Sequence, residues 1–538
     1  MSTLVILISL FFSTFFLEDP TVFTGLNLIR EGKISFSEGI LALAGGILVG
    51  DILNYLLGRY SDRLPFIGKR IEKLTERAEE IEWIKIAEGW FAKLQIYAII
   101  VARFTPGTRF IIYYLCGKER MNFLVFSTLS AFLSVLWVWL IYNGLILSIG
   151  FFLDFLKVSD ISAIILSFVG FILVIKVVQA TLRPKGWKLL FSKLSSYRYW
   201  EFWPSGIFYF PIVFIYIYLC IRHRISPNAI SAVNPCIPYG GMSFDSKYDM
   251  LDVFSSHKTR IARQIRIPDS SKRLETRVIR TIAKAKFKFP FVVKPDKGHR
   301  GNAFRIIREE SGLLNYMDSF PESFLVQEYV NYRLEYGVFW IRIPGERGYI
   351  FSVTRKILSS VTGNGISTLE DLIWKDNRAK FLFGVFRSRN FLSLQDVIPA
   401  GQEFTLGKAA NHCQGAIFED GAGDIRGKTL KTLIGICSSV KGFDFGRFDI
   451  KFKNDRSLSD GKNFKIIEIN GSEAEATHIY DRKYGILNAY KTLFTQWNLL
   501  FVIAKKNLSS GAKAIGPVLL LKKYSQFFFR GQTKMLSD

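Results

Sequence analysis

The chain of 538 residues is poor in the side chains that build redox, zinc and disulfide chemistry. Its five cysteines, Cys116, Cys220, Cys236, Cys413 and Cys437, are scattered and form no CxxC pair. That spacing argues against a disulfide scaffold and a structural zinc site, and fits reduced cytosolic thiols. Five histidines without an HExxH leave no metallohydrolase helix. GxGxxG and GxxxxGK[ST] are both missing, so neither a dinucleotide fingerprint nor a P-loop is encoded. There is no low-complexity tract, and 15% aromatic residues argue against disorder. Acidic residues are also scarce: 46 against 71 Lys and Arg, for a net charge of +25. Nucleic acid is one partner for such an excess. Here the basic residues flank long apolar runs and no recognition motif accompanies them, so the anionic inner leaflet of a membrane fits better.

What the chain has in quantity is hydrophobic residues, 49% of the total, with a mean hydropathy of +0.20. They are unevenly spread. Apolar stretches cover about 3–17, 39–57, 94–116, 123–153, 161–182 and 205–221, several with the roughly 20 residues a spanning helix needs. The first lacks a basic leader and a small-residue cleavage site, and reads as a retained membrane segment. Residues 69–90, with mixed charge at helical spacing, read as a surface amphipathic helix. From about 225 short β-rich runs (FPFVVKP, FLVQEYV, FKIIEIN) alternate with charged helical stretches. The expected fold class is therefore multi-domain: an N-terminal all-α polytopic membrane domain with re-entrant segments, followed by a soluble C-terminal α+β domain. The expected boundaries are a membrane domain over 1–182, a basic linker over 183–240, an α+β domain over 241–505 and a basic tail over 506–538.

Charge predicts the topology. RPKGWKLLFSKLSSYR (183–198) is strongly basic and reads as cytoplasmic, and the run 206–221 is followed by Arg222, His223 and Arg224. Both basic flanks cannot lie inside if that run crosses the bilayer. With Pro204 before it and Pro211 within it, the run is expected to be re-entrant or interfacial, which leaves the C-terminal domain cytoplasmic.

Two apolar segments are broken by charge and Pro or Gly: Glu18-Asp19-Pro20, and Arg103-Phe104-Thr105-Pro106-Gly107-Thr108-Arg109. Such breaks are tolerated at membrane depth only against protein or a water-filled cavity, and a pair of them points to an inverted-repeat transporter. Arg103 and Arg109 offer guanidinium forks to a phosphate, while Glu18 and Asp51 could carry protons; equally, the four could simply pair to hold helices together. GGILVGDILNYLLGRY (45–60) and VARFTPGTRF (101–110) resemble the DedA family, also called the VTT domain, over about residues 1–155. The residues carrying it are Gly50, Asp51, Tyr55, Gly58 and Arg59, then Arg103, Phe104, Pro106, Gly107 and Arg109, with Glu18 as the acidic residue before the first re-entrant part. The resemblance implies movement of an anionic or phosphate-bearing membrane lipid.

The soluble half carries FPFVVKPDKGHRGNAFRII (289–307), a strand ending in Lys294, a basic glycine-containing loop with Lys297 and Arg300, and a second strand. Such a loop could close over nucleotide phosphates, with Lys294 a point charge on a rigid strand; an ordinary hairpin has the same pattern. FGRFDIKF (445–452) sets Arg447, Asp449 and Lys451 on one strand face, and FKIIEING (464–471) sets Glu468 and Asn470 on one face of the next. If those strands pair, Asp449, Glu468 and Asn470 converge as hard oxygen ligands suited to Mg²⁺. Together these features resemble the ATP-grasp superfamily, near the D-alanine–D-alanine ligase-like branch, over about 240–500. More narrowly, EFWPSGIFYFPIV (201–213), NPCIPYGGMSFDSK (234–247), GNGISTLEDLI (363–373) and FGRFDIKF with EINGSEAEATHIYD (468–481) look like an uncharacterised bacterial membrane-associated ATP-grasp group. The resemblance implies ATP and Mg²⁺, with Lys247 as a first nucleotide lysine. It also implies Gln327, Glu328 and Tyr329 on the adenine-contacting strand LVQEYV, Glu335 for ribose hydroxyls, and Arg447 steadying a tetrahedral oxygen. His412 and His478 are further candidates for substrate contact or for structural hydrogen bonding.

The implied enzyme is an ADP-forming carboxylate–amine ligase acting through an acylphosphate. Its partners would be a small-molecule carboxylate, an amine and a membrane lipid, with no nucleic acid. Its place would be the bacterial inner membrane, multi-pass, with the ligase domain facing the cytoplasm. Two alternatives remain: a transporter whose second domain only senses nucleotide, and a membrane-anchored ligase for a soluble amino acid or peptide.

Overall fold

The computed structural model describes residues 2–15, 17–61, 95–104, 109–157, 159–182, 185–269, 275–298, 303–407 and 410–529. The helix expected over 69–90, the Pro-Gly break at 106–107 and Arg300 lie outside them. The chain divides into two compact units, residues 1–190 and 191–538.

The first unit is helical: α1 (Thr3–Ser13), α2 (Glu18–Arg30), α3 (Phe36–Arg59), α4 (Gln95–Phe104), α5 (Arg109–Lys118), α6 (Phe123–Asp154) and α7 (Asp160–Leu182). Ser35 caps α3, its hydroxyl accepting from the Glu38 N–H at 3.3 Å and donating to the Glu38 carboxylate. Asn122 caps α6 by accepting from the N–H groups of Leu124 and Val125. Both helices are long and apolar enough to cross a membrane. The glycine pattern of the 45–60 stretch has a packing cause. A Cβ on Gly58 would lie 1.9 Å from the Tyr114 carbonyl oxygen, and one on Gly117 would lie 1.9 Å from that of Tyr55. The backbones of α3 and α5 thus touch at a glycine from each side. Tyr55, fully buried, donates to the Met121 carbonyl and accepts from Arg59 at 2.6 Å.

The second unit contains two antiparallel sheets. The first, in the order β1-β4-β2-β3, comprises β1 (Gln264–Ile267), β2 (Phe291–Pro295), β3 (Arg305–Ile307) and β4 (Phe324–Glu328). The second is β11-β10-β5-β6-β9, comprising β5 (Leu334–Ile341), β6 (Tyr349–Ile357), β9 (Ile417–Asp420), β10 (Phe445–Phe452) and β11 (Phe464–Asn470). A two-stranded ribbon pairs β7 (Ser360–Thr362) with β8 (Glu403–Thr405). This is the expected α+β arrangement. Period-two alternation sorts each strand: Phe291 and Val293 of β2 join the core with Val278 and Ile282, one helical turn apart. Val292 and Lys294 face the other way, toward a cavity. In β10, Phe448, Ile450 and Phe452 enter the core beneath the second sheet.

The segment 205–221 differs from a re-entrant hairpin. It lies in one unbroken helix, α8 (Ser205–His223), Pro211 included, long and apolar enough to cross a membrane. Phe208, Ile212 and Leu219 of α8 are buried, packing with α9 (Ile486–Ser509). Residues from 191 through the expected linker belong to the second unit. The expected tail likewise contributes to the second unit: α10 (Pro517–Phe529) packs Leu520 and Tyr524 on the core that holds Leu219 and Phe501.

Candidate functional site

Between the cavity-facing residues of the two sheets of the second unit lies a cavity of about 970 Å³. The strand pairing anticipated for the carboxylates is present: Asp449 stands opposite Glu468, and Arg447 opposite Asn470. A β-bulge makes that geometry possible. The register shifts between Asp449 and Ile450, so that Ile450 pairs with Ile466 and Asp449 with Glu468, leaving Ile467 unpaired. Strict alternation from the buried Ile466 would have sent Glu468 into the core. The extra residue flips the parity, so Ile469 is buried while Glu468 and Asn470 face the cavity. The bulge also turns a backbone group inward: the Ile467 carbonyl accepts from Lys294 Nζ at 3.2 Å and from Gln327 Nε2 at 3.0 Å.

Charges at this end form an alternating network. Lys247 Nζ meets Glu468 at 2.8 Å, and Arg447 Nε meets Asp449 at 3.0 Å. Lys356 Nζ bridges Asp449 at 3.0 Å and Glu335 at 3.3 Å. Burial alone would raise the Glu468 carboxyl, but Lys247 and Lys294 hold it well below the usual carboxylate range. Lys294 is pushed down to about 8, by burial and then by Lys247 against the opposing pull of Glu468. Gly337 keeps the centre open, since a Cβ there would meet Arg447 Cδ at 3.1 Å. Glu328 and Tyr329 line the same cavity; Glu328 is fixed by Lys465 at 3.3 Å and the Arg263 N–H at 3.1 Å.

Two expected residues fall elsewhere. Lys297 is exposed and lines a separate cavity of about 190 Å³ rather than the main one. His478 is buried against Tyr484 and does not line the main cavity. His412 does line it.

The opposite end of the cavity was not legible in the sequence. Trp200, Trp203, Phe208, Tyr209 and Tyr480 wall it. Glu201 sits there between two arginines and a histidine, accepting from Arg482 at 2.5 Å, Arg378 at 3.1 Å and His412 at 3.2 Å; burial lowers the His412 imidazolium, so the two guanidinium groups carry the charge. Burial opposes ionisation, yet the bond from His412 and the charges of Arg378 and Arg482 hold Glu201 down at about 2. Glu475 accepts from the Tyr209 hydroxyl at 2.6 Å, and its carbonyl accepts from Arg447 at 3.2 Å. Arg447 therefore links the two ends. Lys356 had one faint sequence signal: it shares parity with the buried Thr354 on β6. Glu201 and Glu475 fall within stretches that carry the family resemblance, but neither their partners nor Arg378 could be read, because the contacts span tens to hundreds of residues.

Among the described residues no cluster of three His, Cys, Asp or Glu side chains stands ready for a metal. The set of Asp449, Glu468 and Asn470 nevertheless fits Mg²⁺ by chemistry: three hard oxygen donors on adjacent strands, each carboxylate balanced by a cation that a phosphate could attract away.

In the first unit the four charged residues singled out by the broken segments meet. Arg103 Nη2 donates to Asp51 at 2.7 Å, and Arg103 Nη1 lies 3.5 Å from Glu18. Arg109 pairs with Glu18, and Ser130 donates to Asp51 at 2.8 Å. Ser134 accepts from Arg103. Asp51 and Arg103 are buried.

Residues 3–147 match the model of the VTT domain. Over 122 residues the chain is 29% identical to an uncharacterized membrane protein of Bacillus subtilis (strain 168), YkoX, covering 23% of this chain and 53%, about half the length, of that relative. With the long apolar helices, this makes the protein a membrane protein with an N-terminal DedA-like domain. Three solved structures are similar to parts of the chain. They are a bifunctional glutathione synthetase from Pasteurella multocida (14% identity, 46% of this chain and 36% of that one, TM-score 0.29), a D-alanine–D-alanine ligase from Bacillus anthracis (12%, 49% and 67%, 0.29) and the VanG D-Ala:D-Ser ligase from Enterococcus faecalis (11%, 50% and 61%, 0.29). Likenesses of this size assign no activity to the chain.

Proposed function

We propose that the protein is a membrane-bound, ATP-dependent carboxylate–amine ligase acting through an acylphosphate. The observation that carries this reading is the convergence of Lys247, Lys294, Arg447, Asp449, Glu468 and Asn470 in one cavity from four separate stretches of chain. A site that only senses nucleotide has no use for two carboxylates and a carboxamide beside an arginine.

In this reading Lys294 and Lys247 bind the nucleotide phosphates as point charges, and Gln327, Glu328 and Tyr329 line the base end. Asp449, Glu468 and Asn470 are the residues that would hold Mg²⁺, which would neutralise phosphate charge. The donor carboxylate attacks the γ-phosphorus, giving ADP and an acylphosphate. An amine then displaces phosphate, and Arg447 stabilises the oxygen that becomes negative in that second step. No cysteine or serine nucleophile is required.

The acceptor is proposed to be a lipid headgroup or another membrane-associated amine. Supporting this, the aromatic end of the cavity is built on the first turns of α8, where Ser205, Phe208 and Tyr209 line it. The other face of the same helix exposes Ile207, Phe210, Phe214, Ile217 and Ile221. An apolar stripe of that kind, ending in Arg222 and Arg224, suits the interface of an anionic bilayer. The DedA-like unit would move the product lipid or a phosphate-bearing carrier, with Glu18, Asp51, Arg103 and Arg109 as its polar site. The expected location is the bacterial inner membrane, with the ligase domain on the cytoplasmic side.

The test is ADP release by the full-length protein in liposomes of native lipid extract with Mg-ATP and mixed amino acids, followed by mass spectrometry of the lipids. ADP release that disappears in Glu468→Gln, together with a new lipid mass, is the expected result. ADP release without a lipid change refutes the lipid acceptor and leaves a soluble one. Absence of both ADP release and Mg-ATP binding refutes the ligase.

A further inference from the structure

Several carboxylates that line the cavity are paired with a cation: Glu201 with Arg378, Glu335 and Asp449 with Lys356, Glu468 with Lys247, Glu328 with Lys465. Asp245 is neutralised differently, by the N–H groups of Gly241 and Met242 at 3.0 Å each. Glu473 is likewise tied down, by the Ser243 N–H at 2.7 Å and by the hydroxyls of Ser243 and Tyr524. Glu475 fits neither pattern. Among the described residues no lysine, arginine or histidine forms an ion pair with it, and no backbone N–H donates to its side chain. Its carboxylate is held by the phenols of Tyr209 and Tyr480, which also bond each other at 2.8 Å. Both phenols line the cavity with it. Burial raises the Glu475 carboxyl above its ordinary value, against the opposing bonds from the two tyrosines and the charge of Arg447, which acts on it without forming an ion pair.

A carboxylate fixed between two hydroxyls and walled by aromatic rings is complementary to an organic ammonium ion. The carboxylate supplies the counter-charge, and the ring faces supply cation–π attraction. The position suits the chemistry as well, since the main chain of Glu475 is bonded directly to Arg447. Resting on the ligase reading, we propose that Glu475, with Tyr209 and Tyr480, is the subsite that receives the acceptor as an ammonium and takes its proton. The acceptor is thereby a primary amine. In the step itself the C–N bond forms as the C–O bond to phosphate breaks. Of the two protons the ammonium must shed, one passes to the Glu475 carboxylate and on to water, and the other leaves with the phosphate. The ammonium belongs either to a lipid headgroup or to a free amine.

The experiment measures binding of ethanolamine, and of ethylene glycol as its neutral counterpart, by saturation-transfer NMR on the full chain in phosphatidylglycerol nanodiscs with Mg-ADP present. Mg-ADP affinity is measured in parallel. The expected result is binding of ethanolamine but not of the glycol, weakened at least tenfold in Glu475→Gln, with Mg-ADP affinity within twofold of the wild type. Glu475→Asp, which keeps the charge, should retain part of the binding and guards against a misfolded glutamine variant. Displacement of ethanolamine on adding phosphatidylethanolamine to the discs identifies a lipid headgroup as the source; no displacement identifies a free amine. Equal binding of amine and glycol, or equal binding to wild type and Glu475→Gln, overturns the subsite while leaving the nucleotide reading standing. Failure of the wild type to bind Mg-ADP overturns the ligase reading and the subsite with it.

Discussion

Replacing Glu201 by Gln keeps its shape and removes its charge from a ring of three partners, so the cost can be worked out. Arg378 has only 9% of its side chain exposed and Glu201 only 4%, so water cannot compensate the guanidinium left behind. Its other contacts, to the carbonyls of Gly415 at 2.6 Å and Ala416 at 3.0 Å, supply dipoles but no counter-charge. Breaking one partner of a buried pair costs about 3–5 kcal/mol. The carboxyl itself gives a second figure. Its fall from the ordinary 4.5 to about 2 corresponds to roughly 3 kcal/mol at 1.36 kcal/mol per unit. The two agree, and with about 2.1 cal/mol/K per residue over the second unit they predict a melting temperature lower by about 4–7 °C. The assay is a thermal melt followed by tryptophan fluorescence in detergent, since Trp200 and Trp203 flank the residue. The pH dependence follows from the direction of the shift. A depressed carboxyl stabilises fully above its unfolded value and loses that stabilisation as pH falls toward its folded value. The gap between wild type and Glu201→Gln is therefore fully present at pH 7 to 8, where His412 is neutral in both folded and unfolded chains, and the Glu201 share of it is lost below 4.5. A variant melting within 1 °C of wild type at pH 7, or a gap that widens between pH 4.5 and 3, would refute this reasoning.

Other substitutions probe other joints. Gly58→Ala places a methyl group against the Tyr114 carbonyl with no room to yield, and should sharply reduce the yield of folded protein extracted from membranes; Gly144→Ala, with nothing nearby, should leave it unchanged. Asn234→Ala removes a side chain that donates to the Gly240 and Phe445 carbonyls and accepts from the Asp444 and Phe445 N–H groups. With those buried groups orphaned, a loss of about 2–4 kcal/mol is expected in denaturant titration. Gly337→Ala crowds Arg447 from 3.1 Å and should lower turnover more than nucleotide affinity, which separates the step Arg447 serves from ATP binding. Asp51→Asn leaves the fully buried Arg103 without its nearest carboxylate; if the cluster merely joins helices, extraction yield falls, whereas a transport site would lose lipid movement at normal yield.

How far the sequence carried depended on the range of the interactions. Alternating strands and apolar runs are local, so the helical unit, the α+β unit and the strand bearing Arg447, Asp449 and Lys451 could be read directly. Lys294 and Lys247 could be named because each stands in a short run with a recognisable pattern. Lys297 could be named but not placed, because loop direction at Gly298 depends on packing rather than on composition. The aromatic end of the cavity was out of reach for the same reason. Glu201 meets Arg482 across 281 positions and Tyr209 meets Glu475 across 266. Helix α8 settles only part of its expectation: Pro204, Pro211 and two basic flanks fit a re-entrant or an interfacial segment, and the chain there is one unbroken helix, because Pro204 precedes the first turn and α9 supports the rest.

The bulge at Ile467 shows why a correct list of site residues can rest on an incomplete picture of the strand. Glu468 and Asn470 share parity with each other, but also with Phe464 and Ile466, which are buried. A uniform strand would therefore have to expose two large apolar side chains or bury a carboxylate and a carboxamide. Neither is tolerable beside a full core, so one residue must be spare. The extra backbone unit that solves the packing conflict is also the one whose carbonyl holds Lys294 and Gln327 from the other sheet. The same irregularity that turns Glu468 toward the cavity thus ties the lysine-bearing strand to the carboxylate-bearing one, and a packing constraint in the core fixes the geometry of the charges above it.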